Sequence, residues 1–136
     1  MQPTSHRHWP EGTTMLVVED DQLTARLLRA RLELEGLRIL DAHNGEEALE
    51  VIQREEPHLV STDLMMPAMD GYRLIRKIRE LPGPLCRLPL MVLTVNQSED
   101  EMVRCLAAGA DDYVTKPISP QIFVEKLWRL FCRSRS

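Results

Sequence analysis

Five short apolar runs, each followed by a stretch of helical period, set the terms on which this chain can fold. The runs lie near residues 14–19, 37–42, 58–63, 90–94 and 112–116. Continuous apolar segments such as Leu16-Val17-Val18 and Leu90-Met91-Val92-Leu93 suit strands buried on both faces, as in a parallel sheet covered by helices. Strands alternating with crossover helices predict an α/β fold, a doubly wound five-stranded parallel sheet with five helices.

The intervening stretches carry their own start and stop signals. In the first, Leu23, Leu27, Ala30 and Leu34 recur at spacings of four, three and four, and this face is expected to pack inward. Gly36 follows as a C-terminal cap. The second stretch runs from an Asn44 cap to Glu56, where Pro57 ends it. The third starts around Asp70-Gly71 and is expected to bury Leu74, Ile75 and Ile78. Ser98 and Glu101 stand at capping-box spacing at the head of the fourth. The fifth opens on Ser119-Pro120, a cap followed by proline at the first helical position, and turns Phe123, Leu127, Leu130 and Phe131 inward.

At 136 residues the chain is long enough to bury one ordinary core without staples. Residues 14–132 carry the alternating pattern; residues 1–13 read as a flexible N-terminal extension and 133–136 as a C-terminal tail. His6 and His8 are taken as part of that extension rather than as a metal-binding arm. The loop from Leu81 to Pro89 is the least regular stretch, yet too short to divide domains. An apolar share of 43% and a charged share of 28% are those of a soluble globular chain.

Net charge is -4, so direct binding of nucleic acid by the domain's own electrostatics is disfavoured. Arg129, Arg133 and Arg135 read instead as a solvated helix end, where cations are favoured. Cys86, Cys105 and Cys132 form no CxxC pair and are odd in number, the pattern of reduced thiols in a cytoplasmic protein. No apolar run approaches the roughly 18–20 residues needed to cross a bilayer. The first residues also lack the apolar segment of a signal peptide.

The chemistry gathers at strand ends. Asp63 closes the third run, Glu19 and Asp20 close the first, Thr94 closes the fourth and Lys116 the last. The C-terminal tips of strands are where open α/β sheets bind ligands. Each residue has an ordinary alternative: Asp21 as a helix cap, Asp63 in a turn, Thr94 as a β-branched strand residue, Lys116 as a surface lysine. Carboxylates held within a few ångströms raise one another's pKa and cost stability, a cost that a divalent cation reverses. Mg²⁺ prefers one or two carboxylates, several waters and a phosphate oxygen. The set therefore points to a Mg²⁺-dependent phosphoryl site with Asp63 as the acceptor and Lys116 offsetting phosphoryl charge.

In its segments Leu16-Val17-Val18-Glu19-Asp20-Asp21, Asp63-Leu64-Met65-Met66-Pro67-Ala68-Met69-Asp70-Gly71, Leu93-Thr94 and Gly109-Ala110-Asp111-Asp112-Tyr113-Val114-Thr115-Lys116-Pro117, the chain resembles the response-regulator receiver domain of two-component signalling, over residues 14–132. The resemblance implies a flavodoxin-like sheet of strand order 2-1-3-4-5. It implies that Asp63 accepts a phosphoryl group from a histidine kinase or histidine phosphotransfer protein. It implies that Mg²⁺ is held by Glu19, Asp20, Asp63 and the backbone carbonyl of Met65, that Thr94 and Lys116 contact the phosphoryl oxygens, and that Lys116-Pro117 is cis.

It further implies that Thr94 moves inward on phosphorylation and Tyr113 turns into the vacated space, reshaping the face of the fourth helix, fifth strand and fifth helix. That face would select a downstream protein or output domain, or a phosphorylation-dependent homodimer. Arg104 is the one base of the fourth helix available to such a dimer, while Ile122 and Val124 face Asp112 and Lys126 nearby, a partial charge match. The domain itself would be a phosphoacceptor module rather than an enzyme acting on other molecules. It would stand alone or form part of a longer regulator or hybrid kinase.

Some positions depart from the common receiver pattern. Val95 follows Thr94 where a small residue is usual, and its bulk is expected to slow small phosphodonors. Met65 cannot position a water, whereas Asn96 can, so a moderately long-lived phosphoryl group is expected. The competing readings are weak. An aspartyl-phosphate phosphatase of haloacid dehalogenase type needs a second aspartate two positions after its nucleophile, where this chain has Met65. An FMN carrier needs a phosphate-cradling loop after the first strand, and a phosphorylation-dead receiver would lack the acids, Thr94 or Lys116.

Overall fold

The structure, a computed structural model, describes residues 6–66, 69–95 and 98–135. Among these residues the chain forms β1 (Thr14–Val18), α1 (Gln22–Leu34), β2 (Arg38–Ala42), α2 (Gly45–Glu55), β3 (Leu59–Asp63), α3 (Gly71–Arg79), a 3₁₀ turn at Gly83–Arg87, β4 (Leu90–Thr94), α4 (Glu99–Ala108), β5 (Asp112–Thr115) and α5 (Pro120–Ser134). The five strands form one parallel sheet in the order β2-β1-β3-β4-β5, as expected.

Period-two alternation divides the core. Leu16, Val18, Val60, Leu90 and Val92 point to the side covered by α2, α3 and α4. Met15, Val17, Leu59, Met91 and Leu93 point to the other side, where Leu28 and Leu32 of α1 and Phe123, Leu127, Leu130 and Phe131 of α5 meet them. Leu74, Ile75 and Ile78 of α3 are fully buried as anticipated.

The caps also follow the sequence signals. Asp21, Asn44, Asp70, Ser98 and Ser119 each accept a backbone N–H three residues on, which fixes where the five helices start. Gly36 has φ of +97°, the left-handed geometry that a glycine adopts freely after a helix.

The inward face of α1 is a correction. Leu23, Leu27 and Leu34 are 66%, 64% and 79% exposed, and Ala30 is exposed as well; the buried row is Leu28 and Leu32. The helix carries two leucine rows of the same period, about 100° apart at Leu27 and Leu28. Periodicity alone cannot choose between them. The choice is made by tertiary packing, which sets Leu28 and Leu32 against the sheet beside α5.

The leading segment packs onto the domain from residue 6. Trp9 meets Trp128 edge-on with ring centres 5.0 Å apart and Phe131 at 5.2 Å. Arg7 bridges the end of α1 to α5, at 2.8 Å from Glu35 and 2.9 Å from Glu125. His6 reaches Glu125 at 2.8 Å. No described helix is long and apolar enough to cross a membrane.

Candidate phosphoacceptor site

Strand register assembles the site. Val18 pairs with Thr62, so Glu19 and Asp20 run off the end of β1 beside Asp63, the last residue of β3. Asp63 pairs with Leu93 and Thr94 with Thr115, so Thr94 and Lys116 close the tips of the next two strands. The Lys116 amide donates to the Thr94 carbonyl at 2.8 Å, locking these two tips together. The Lys116-Pro117 bond is cis.

Glu19, Asp20 and Asp63 each offer a carboxylate oxygen, and the three lie within 4.8 Å of one another. Glu19 is only 1% exposed and Asp63 7%, while Asp20 faces solvent. Lys116 Nζ donates to Asp63 Oδ2 at 2.9 Å and to Glu19 Oε2 at 3.3 Å. The Met65 amide donates to Asp63 Oδ1 at 3.2 Å, and the Asp21 amide donates to Glu19 Oε1 at 3.2 Å. Burial, and then the charge of Asp63, push the Glu19 carboxyl up to about 7. Burial works against the charge on Lys116, but its hydrogen bonds and proximity to Asp63 and Glu19 outweigh that and raise its pKa.

Three carboxylates face one ammonium, so the cluster stays short of positive charge. An all-oxygen donor set that is compact, partly buried and open on the Asp20 side fits a small divalent cation of Mg²⁺ type. Thr94 is buried at the tip of β4. Tyr113, on β5, stands apart from the carboxylates: half-buried, it packs on the α2–α4 side, with Lys126 Nζ 5.4 Å from its ring centre. The Met65 side chain is exposed. Pro67, Ala68 and Asn96 lie outside the described residues, and with Asn96 the expectation about a positioned water.

Against the response-regulator receiver domain model, residues 15–127 match. This chain belongs to that family. Receiver domains are signalling modules, and this receiver has relatives of more than one design. It is 44% identical over 106 residues to an uncharacterised 14.6 kDa protein of Leptolyngbya boryana, covering 78% of this chain and 80% of that one. It is 37% identical over 107 residues to the alkaline phosphatase synthesis transcriptional regulatory protein PhoP of Bacillus subtilis, covering 79% of this chain and 43% of PhoP. The chain spans about half or less of the length of the transcriptional regulators that it matches. The receiver domain of the sensor histidine kinase PA1611 from Pseudomonas aeruginosa PAO1, with a magnesium ion coordinated in its active-site cleft, superposes with a TM-score of 0.81. That similarity is at 29% identity and covers 88% of this chain and 98% of that one.

Of the residues expected on a dimer face, the fold buries one. Val124 is fully buried in the α1–α5 core, whereas Ile122 is exposed. The Arg104 guanidinium lies 3.9 Å from the centre of the Tyr72 ring on α3. Lys126 sits 3.5 Å from Asp112 within the same molecule. Sequence reasoning also passed over Tyr72, whose partners are some thirty positions distant along the chain and leave no local signal.

Proposed function

We propose that residues 14–132 are the phosphoacceptor module of a two-component phosphorelay, modified on Asp63. The donor is the phosphohistidine of a histidine kinase or histidine phosphotransfer protein. A carboxylate oxygen of Asp63 attacks phosphorus, the P–N bond breaks with its electron pair going to the imidazole, and the ring nitrogen is reprotonated from solvent. The observation that carries this reading is the Lys116 ammonium hydrogen-bonded to Asp63 inside a ring of two further acids.

The residues divide the work by position. Lys116 holds Asp63 Oδ2, and Oδ1, which among the described residues accepts the Met65 amide, is the oxygen presented for attack. Asp20 and Asp63, with the carbonyl of Met65, would hold Mg²⁺ directly and Glu19 would do so through water. The metal supplies charge neutralisation between the carboxylates and the incoming phosphoryl oxygens. Thr94 and Lys116 receive the remaining phosphoryl oxygens, and Glu19 keeps Lys116 charged. The domain assists its own phosphorylation and dephosphorylation, without acting on a separate substrate.

Phosphorylation adds about -1.5 to -2 charges at the tip of β3. Drawing Thr94 toward that charge and turning Tyr113 inward would alter the α4–β5–α5 face, where a downstream protein, output domain or second copy binds. The test is beryllofluoride with Mg²⁺, a phosphoryl mimic, added to isotopically labelled protein. Resonances of Tyr113 and α4 shift in wild type and stay in place in Asp63→Asn. Shifts in both proteins, or in neither, refute the assignment of Asp63.

A further inference from the structure

The side chain of Tyr72 links the phosphoacceptor strand to the first turns of α4. The link begins at Gly71, whose amide donates to the Leu64 carbonyl at 2.9 Å. A Cβ at this glycine would lie 2.6 Å from the Asp63 carbonyl oxygen and 2.8 Å from Leu64 Cα. The first turn of α3 therefore rests directly on the backbone of Asp63, with no side chain between them to absorb a shift. Tyr72, the next residue, is buried, and its hydroxyl donates to Glu101 Oε1 in the first turn of α4. Arg104, one turn further along α4, lays its guanidinium 3.9 Å from the centre of the same ring. One phenol is held at its edge and on its face by two residues of α4. Burial and the Glu101 carboxylate raise the Tyr72 pKa, which keeps the hydroxyl a donor.

Elsewhere α4 is fastened mainly at its C-terminal end, where Arg79 Nε donates to the Gly109 carbonyl at 2.8 Å and Ala108 packs on the core. Cys105 is its one fully buried residue, and Val103 and Leu106 point outward. A helix with few buried apolar contacts belongs to the low-stability end of a fold and moves at small cost. We infer that Tyr72 is the positioning residue that ties α4 to the Asp63 strand in the resting state and opposes the displacement of α4 when Asp63 is occupied. The inference rests on the phosphoacceptor reading of Asp63 and adds to it the element that sets the resting population. Because coupling between two sites is reciprocal, loosening the tie both populates the displaced α4 and tightens binding at Asp63.

The test compares wild type, Tyr72→Phe and Glu101→Gln as full chains, by NMR with and without beryllofluoride and Mg²⁺, with thermal unfolding in parallel. Tyr72→Phe keeps the ring, its burial and the Arg104 contact, and removes only the donated hydrogen bond. Its α4 resonances, without beryllofluoride, are expected to move along the line joining the free and loaded wild-type positions. The displaced population should rise roughly tenfold, the equivalent of one hydrogen bond to a charged group. Half-saturation with beryllofluoride should fall several-fold. Glu101→Gln keeps an acceptor for the phenol and is expected to move the same resonances less.

A purely structural role for Tyr72 predicts a lower melting temperature, with α4 resonances off that line and half-saturation unchanged. That outcome overturns the inference, as does a Tyr72→Phe spectrum identical to wild type. Absence of any wild-type response to beryllofluoride overturns the phosphoacceptor reading and the tie together.

Discussion

Lys116 places its ammonium 2.9 Å from the Asp63 carboxylate and, on its other side, 3.3 Å from Glu19. One cation thus serves two acids, one of which is almost wholly out of water. Removing a partner from a buried pair leaves a charge that has lost both solvent and counter-ion, and costs several kcal/mol. The site's chemistry and its instability therefore come from the same three residues, and several consequences can be measured.

The first is a pH dependence set by Glu19. Its carboxyl stands at about 7 in the folded chain against an ordinary 4.5, so the folded state binds this proton more tightly than the unfolded one. The contribution of Glu19 to stability is fully present below about pH 4.5, falls as pH rises toward 7, and is gone above it. The loss is on the order of 3 kcal/mol at most. Urea unfolding in EDTA at pH 5.5 and pH 8 should show it, and Glu19→Gln should flatten it. Equal slopes for wild type and Glu19→Gln would contradict the burial argument.

Repulsion among the acids gives a second expectation. Asp20→Asn should raise the melting temperature in EDTA by removing a charge beside Glu19 and Asp63, and weaken Mg²⁺ binding at least tenfold. Calorimetric titration and thermal melts with and without Mg²⁺ check both halves. An unchanged melt in EDTA means that the acids do not repel one another appreciably.

Two glycines provide a third comparison. A methyl at Gly71 would meet the backbone of Asp63 and Leu64 at 2.6 and 2.8 Å, whereas at Gly45 it would meet the Met69 thioether at 2.6 Å. Backbone cannot move aside cheaply, whereas the Met69 side chain, met at Sδ, Cγ and Cβ within 3.0 Å, can re-pack at smaller cost. Gly71→Ala should cost about 1–3 kcal/mol and slow phosphorylation. Gly45→Ala should cost less than that and leave phosphorylation unchanged, as chemical denaturation and acetyl phosphate kinetics would show.

The two leucine rows of α1 make a fourth. Leu32→Ala, in the core, should destabilise by about 2–5 kcal/mol. Leu27→Ser, on the exposed row, should stay within about 0.5 kcal/mol of wild type. Reversed values in denaturant titrations would mean that the helix is rotated from the orientation described.

Val95 supplies the last. Its side chain is exposed directly after Thr94. Val95→Ala should speed phosphorylation by acetyl phosphate several-fold while changing the kinase-driven rate less. An unchanged acetyl phosphate rate disposes of the steric argument.

The strand positions and caps were readable because each depends on neighbours close in sequence. Asp21 caps its own helix, and Leu90 to Thr94 is apolar from end to end. The acids and Lys116 were readable as a set because strand tips in a parallel sheet converge at one edge. The buried face of α1 was not, since Leu27 and Leu28 satisfy the same period and only tertiary packing separates them. Nor was the edge-on seat of Trp9 against Trp128, which joins the two ends of the chain. Arg104 reads as a surface base in the sequence because Tyr72, which lies beneath its guanidinium, is distant along the chain.

That aromatic seat has a practical consequence. The chain has 2 tryptophans, and both are in it, where the leading segment enters β1 and away from the carboxylate tips. Intrinsic tryptophan emission will therefore report the docking and loss of the leading segment. Occupancy of the acidic pocket needs a reporter placed elsewhere, and a silent emission signal during a phosphodonor titration carries no information about Asp63.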